Sequence, residues 1–156
     1  MTTNDCLLCQ GAAGDAQLSR VQVWEDRLWR LTTTTDGPVP GFSYLEPKRH
    51  IPHITDLDGP EALTFGGVLA KVSEVLRTES GADLVWLYVF GGGIPHLHVH
   101  LAPHRPDDAL NSQMLRGEIE QRPLPSGATR LVARDFPDVP EQEHRALIER
   151  LRQRLG

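Results

Sequence analysis

The run Pro95-His-Leu-His-Val-His-Leu101 restricts this chain more than any other stretch, because three histidines spaced two apart share a face only on an extended strand. In that conformation His96, His98 and His100 project together, while Leu97, Val99 and Leu101 turn the opposite way into a core. Half of the strand is for packing and half for chemistry. Imidazole titrates near neutral pH, acts as a nucleophile and binds metals, so a face made only of it reads as a site. A solvated strand that happens to be rich in histidine is the plainer alternative.

Other segments have equally readable periods. Val21-Gln-Val-Trp-Glu25 and Arg27-Leu-Trp-Arg-Leu-Thr-Thr33 alternate apolar and polar residues and predict a hairpin. Asp36-Gly-Pro-Val-Pro-Gly41 marks a loop, and Phe42-Ser-Tyr-Leu-Glu46 reads as a third strand ended by Pro47. An irregular connection, Lys48 to Ile54, carries His50 and His53. From Pro60 to about Ser80, Phe65, Val68, Leu69, Val72, Val75 and Leu76 recur at helical spacing, after Asp58-Gly-Pro-Glu61 and before Gly81.

Leu84-Val-Trp-Leu-Tyr-Val-Phe90 is continuously apolar, as a central buried strand is, and Gly91-Gly-Gly93 turns it toward the histidine strand within a hairpin's reach. Beyond Pro103 the pattern weakens. A short helix is expected within Asp107–Gly117 and a loop at Arg122-Pro-Leu-Pro-Ser-Gly127. A terminal helix from Pro140 to Leu155 begins acidic and ends basic, with Leu147, Ile148, Leu151 and Leu155 as its apolar stripe and His144 facing solvent. The order strand, strand, strand, helix, strand, strand implies an α+β protein, a mainly antiparallel sheet with the long helix on one face. Residues 1–156 read as one domain without internal repeats.

A net charge of −5 argues against a nucleic-acid partner, which would need a basic face. A small anion needs only local charge, such as Lys48, Arg49 and Arg105. No apolar run approaches ~18 residues, so no membrane span is expected. The N-terminus has neither a basic region nor an apolar stretch, and a reducing cytoplasm is the expected location.

Cys6 and Cys9 are the only cysteines and form a CxxC pair, open to three readings: a redox dithiol, half of a zinc site, or no role. A redox motif opens a long helix, whereas this pair precedes Gly11-Ala-Ala-Gly14. Zinc fits better. It would need two further ligands, and histidines are abundant.

With Cys6-Leu-Leu-Cys9, Pro47-Lys-Arg-His-Ile51, a helix of suitable length and His96-Leu-His-Val-His-Leu-Ala-Pro103, the chain resembles the histidine triad superfamily of nucleotide hydrolases and transferases. The likeness runs from about residue 5 to 104; residues 105–156 form an extension that ends in a helix. The resemblance implies a five-stranded antiparallel sheet, a small nucleotide as partner, and pairing into a homodimer. It also implies that His98 attacks an α-phosphorus to form a nucleotidyl-histidine intermediate, assisted by His100. The physical chemistry agrees: a ring tethered through one nitrogen, for instance to a backbone carbonyl, keeps the other unprotonated and aimed. In the subset that begins with CxxC, the resemblance implies structural Zn2+ held by Cys6, Cys9, His50 and His96.

Several positions depart from the family pattern. Phe42 stands where many members have a histidine, and Thr34 near the position of a ribose-binding aspartate. Gly92 and Gly93 replace a Gln-Ser pair that touches phosphate, and His104 replaces an arginine. Candidate substrate contacts are therefore Gly92, Gly93, Phe42, Trp24 and His104, although aromatic residues on strands more often belong to a core. A dinucleoside polyphosphate or an adenylylated compound is the expected substrate. A diverged nucleotide-binding protein without hydrolytic activity, or a scaffold recruited to another biosynthetic reaction, is the alternative.

Overall fold

The structure is a computed structural model that describes residues 5–110 and 117–156. A 3-10 turn over Leu7–Gln10 and helix α1 (Ala12–Gln17) lead into three consecutive antiparallel strands, β1 (Arg20–Glu25), β2 (Trp29–Thr34) and β3 (Ser43–Pro47). The β1–β2 turn is closed by Asp26, whose Oδ1 accepts from the amides of Leu28 at 2.8 Å and Trp29 at 2.7 Å. Helix α2 (Gly59–Ser80) has a proline in its first turn and ends at Gly81, whose φ of 67° only glycine adopts freely. Strands β4 (Leu84–Tyr88) and β5 (Val99–His104) complete the sheet, in the order β1-β2-β3-β5-β4. All four pairings are antiparallel.

Side-chain alternation then sorts the two faces. Leu31, Leu45, Val99 and Leu101 meet Val72, Val75 and Leu76 of α2 and Leu147 and Leu151 of the terminal helix α3 (Glu141–Leu155) in one core. Trp29 joins this side, its Nε1–H donating to Thr64 Oγ1 at 2.9 Å and its ring stacked on Phe65. The opposite face carries the imidazoles.

The segment expected to be a central buried strand is instead the edge: β4 pairs only with β5 among the described residues, and Leu84 and Leu87 stay exposed. An apolar run gives no direction of burial, which is why its period could not tell centre from edge. The histidine strand is also shorter than the alternation suggests. His96 and His98 precede β5, where the backbone bonds outside the ladder, the Leu97 N–H donating to the Ile51 carbonyl at 2.7 Å.

The extension holds a hairpin where a loop is expected, β6 (Ile119–Pro123) and β7 (Thr129–Ala133), turned through Leu124–Ala128. Its prolines and charges mask the strand period; an isolated two-stranded ribbon is marginal and needs a surface to lie against. The short helix expected within Asp107–Gly117 falls largely on residues 111–116, outside the described residues. His144, expected at the surface, is 1% exposed and donates from Nε2 to the Gly37 carbonyl at 2.9 Å. It lies three residues before Leu147, on the buried stripe of α3. Among the described residues, no helix is long and apolar enough to cross a membrane.

Candidate functional site

Register places His100 opposite Tyr44 on β3 and opposite Tyr88 on β4, so three rings form a row across the sheet. The His100 centroid is 5.1 Å from those of Tyr44, His98 and Phe90. Burial, reinforced by the neighbouring His98, pushes the His100 ring down to about 4. His98 is lowered too, again by burial first. Its Nδ1 lies 2.6 Å from the His96 carbonyl oxygen. A carbonyl only accepts, so Nδ1 carries the proton and Nε2 keeps a lone pair.

Both rings line a cavity of about 310 Å³ between the sheet face and hairpin β6–β7, walled by Phe42, Tyr44, Tyr88, Phe90 and Gly93 and by Leu124 and Leu131 of the hairpin. Mostly apolar walls with a few convergent polar groups are what a small-molecule site requires. A smaller recess of about 140 Å³ adjoins His98 and is lined by His53, Phe90 and Leu97. His53 thus reaches the site, although its loop reads as plain surface in the sequence.

Cys6, Cys9, His50 and His96 converge at one end of the histidine segment, their ligand atoms all within 4.8 Å of one another. The His96 Nδ1 lies 3.5 Å from Cys6 Sγ and 3.4 Å from Cys9 Sγ, and His50 Nδ1 lies 3.3 Å from Cys9 Sγ. Zinc bond lengths with tetrahedral angles imply sulfur–nitrogen edges of about 3.6 Å, so the cluster fits the ion. The His96 Nε2–H donates to Pro47 O at 2.8 Å, which leaves Nδ1 as the donor atom toward the thiols. Burial keeps the His96 ring neutral, pushed down to about 4, as a ligand must be. Burial and then Cys6 push the Cys9 thiol up to about 11, so ligation there would release a proton.

Four buried charges sit between this cluster and the cavity. Arg30 pairs with Glu46 and, at 2.9 Å, with Asp15; Arg20 pairs with Glu46 at 3.2 Å and Asp15 at 3.4 Å. Two cations and two anions cancel. Arg30 also donates to the Leu8 carbonyl at 3.3 Å, tying the Cys6–Cys9 turn to the sheet, and Arg20 lies over the Tyr44 ring at 4.9 Å. At the other ligand segment, Arg49 binds Glu61 and Asp58 at the start of α2, which fixes the backbone beside His50.

The expected substrate contacts divide. Phe42 and Gly93 line the larger cavity. Gly92 is not among the lining residues, and a side chain added there would meet nothing within 4 Å. Trp24 lies on the helix side, with Lys71 Nζ 4.6 Å from its ring centroid, because the β1 bulge beyond Gln22 turns it toward the core. His104 is stacked on Trp86 at 4.7 Å and bound through Nδ1 to Asp108 at 2.9 Å, away from the cavity lining. Sequence reasoning missed Tyr44, Tyr88, Arg20 and Arg130. The tyrosines were available from the period of two on strands flanking the histidines, whereas the arginines carry no such signal.

No protein-family model and no curated protein matches the sequence. Solved structures do match in fold. A histidine triad protein from Bradyrhizobium japonicum is 21% identical, with 89% of this chain and 92% of that one covered at a TM-score of 0.66. A zinc-bound histidine triad family protein from Mycobacterium smegmatis is 18% identical, with coverages of 97% and 96% and a TM-score of 0.63. A hypothetical histidine triad nucleotide-binding protein from Sulfolobus tokodaii is 18% identical, with coverages of 96% and 91% and a TM-score of 0.65.

Proposed function

Because the chain has the histidine triad fold, we propose that it is a nucleotide hydrolase or nucleotidyl transferase that works through His98. The observation that carries this reading is the 2.6 Å contact from His98 Nδ1 to the His96 carbonyl. It commits the proton to one nitrogen and leaves Nε2 as a nucleophile on a ring that lines the cavity.

In the first step the Nε2 lone pair forms a bond to the α-phosphorus, and the bond from phosphorus to the leaving oxygen breaks with its electron pair going to that oxygen. Water or another acceptor then attacks phosphorus and gives up a proton, and the N–P bond breaks to return the pair to Nε2. His100 is near enough to His98 to stabilise charge on a phosphoryl oxygen. His100 also lines the cavity, and the backbone of Tyr88 on the neighbouring strand is a hydrogen-bonding neighbour of its ring. The purified protein, mixed with a panel of dinucleoside polyphosphates, nucleoside triphosphates and adenylylated compounds, should show a covalent mass adduct with at least one of them. Tight binding with neither adduct nor turnover would instead identify a diverged binding protein.

Zinc belongs to this reading as a structural ion held by Cys6, Cys9, His50 and His96, in the reducing cytoplasm where the thiols persist. Two sulfurs and two imidazoles fill the tetrahedron, so the ion would supply cohesion and leave no open position for water. Metal analysis should return about one zinc per chain. Cys6→Ser should lose it together with a lower melting temperature, and a metal-free variant with unchanged melting would remove the structural role.

A homodimer through the β4 edge completes the proposal. Unpaired backbone beside Leu84, Leu87 and Phe90, which are 41%, 45% and 60% exposed, suits a second copy added antiparallel along the same edge. Sedimentation should give twice the chain mass, and Leu87→Lys should give one. A wild-type protein that sediments as a monomer overturns this part.

A further inference from the structure

The cavity over His98 and His100 has a wall that the five-stranded sheet does not supply: Leu124, Ala128, Thr129, Arg130 and Leu131, all from hairpin β6–β7 or its turn. We propose that this hairpin is part of the substrate site and that Arg130 binds the phosphate groups of the ligand from the side facing the imidazoles. The inference rests on the nucleotide reading above and deepens it by assigning the cation that reads the anionic part.

Charge balance makes the argument. A nucleotide brings several negative charges into a cavity with mainly apolar walls, where an uncompensated anion is costly. The attacking imidazole must be neutral, and Gly93 offers no side chain. Among the described residues, the cavity lining contains two arginines, Arg20 and Arg130.

Arg20 is already committed. Its side chain is 3% exposed and held between Asp15 and Glu46, which are equally buried and cannot be exchanged for a ligand without stranding both. Arg130 is differently placed. Its side chain is 17% exposed, and its ionic partner Asp36, at 2.7 Å, is 54% exposed and in contact with water. A half-solvated pair of this kind is weak. Among the described residues, the one other hydrogen bond from the guanidinium runs to the Leu18 carbonyl at 3.4 Å. Two of five N–H donors are thereby used, and the planar fork keeps donors for a phosphate. Arg122 of the same hairpin forms an exposed ion pair with Asp138 at 2.8 Å and does not line the cavity.

The test measures binding of ADP and of inorganic pyrophosphate by calorimetry to the full, zinc-loaded chain. Arg130→Gln should weaken both about ten- to hundredfold, the range of a charge-assisted contact, and Arg130→Lys should recover part of the loss. Arg122→Gln breaks an ion pair of the same hairpin without touching the cavity, and its affinities should stay within about twofold of wild type. Equal losses in Arg130→Gln and Arg122→Gln, or wild-type affinity in Arg130→Gln, overturn the proposal, as does a wild-type protein that binds neither probe. If no nucleotide yields an adduct but Arg130→Gln still weakens pyrophosphate binding, the catalytic reading fails while this inference stands.

Discussion

On the proposed mechanism, His98→Ala should form no nucleotidyl adduct and should lose about four orders of magnitude or more in turnover, the scale on which enzymes lose rate when the covalent nucleophile is removed. The expectation follows from one ring and one carbonyl. His98 is the cavity imidazole whose Nδ1 lies 2.6 Å from a backbone carbonyl, and the proposal assigns the attack to its other nitrogen. His100→Ala should instead keep a slowly formed adduct, with a loss of about two to three orders, as for a group that only stabilises developing charge. The fold should tolerate both changes, because neither removes a charge from a buried pair. Mass spectrometry, turnover and zinc content measured on the same samples separate these outcomes. A His98→Ala protein that retains a tenth of the wild-type rate would end the proposal.

Arg30→Ala should destabilise the protein by about 3–5 kcal/mol, a large part of the total stability of a domain this size. Its guanidinium is buried between Asp15 and Glu46, which are 2% and 0% exposed, and its loss leaves two carboxylates facing one arginine. Burial already pushes the Glu46 carboxyl above its ordinary range, so without Arg30 it takes up a proton or draws in water. The double replacement Arg30→Met with Glu46→Leu removes cross-strand partners together and leaves the Asp15–Arg20 pair intact. It should therefore cost less than either single change, since apolar residues of similar volume replace a buried pair with little loss. Urea unfolding of Arg30→Ala, Arg30→Met, Glu46→Leu and the double variant decides the matter. A single-variant cost below about 1 kcal/mol would mean that the tetrad is solvated and contributes little.

The sheet, the long helix and the terminal helix were legible because each repeats its apolar residues at a period that fits one conformation only. The family resemblance pointed to Cys6, Cys9, His50 and His96 as one group and to His98 with His100 as another, and the structure brings the members of each together. What was not legible depends on long-range packing. Leu84–Phe90 has the composition of a central strand and lies at the edge, since nothing within the run records how many neighbours it has. Arg30 and Glu46 look like the solvent half of two alternating strands, and only the covering α1 segment, with Asp15, makes them buried. Trp24 needed the register shift beyond Gln22, which alternation cannot reveal. The hairpin in the extension was hidden by Pro123 and by its charges, and with it the wall that faces the imidazoles.

The His96 ring lies in the thiol cluster and its carbonyl holds the His98 ring, so a single residue joins the candidate metal cluster to the cavity. On the proposed reading, removing the ion frees His96 and with it the acceptor that orients His98, so a chelator would silence the protein with no coordinated water ever having taken part. Inhibition by EDTA would be a poor reason to classify such a protein as a metallohydrolase; the informative comparison is whether the orphaned backbone acceptor still orients its imidazole.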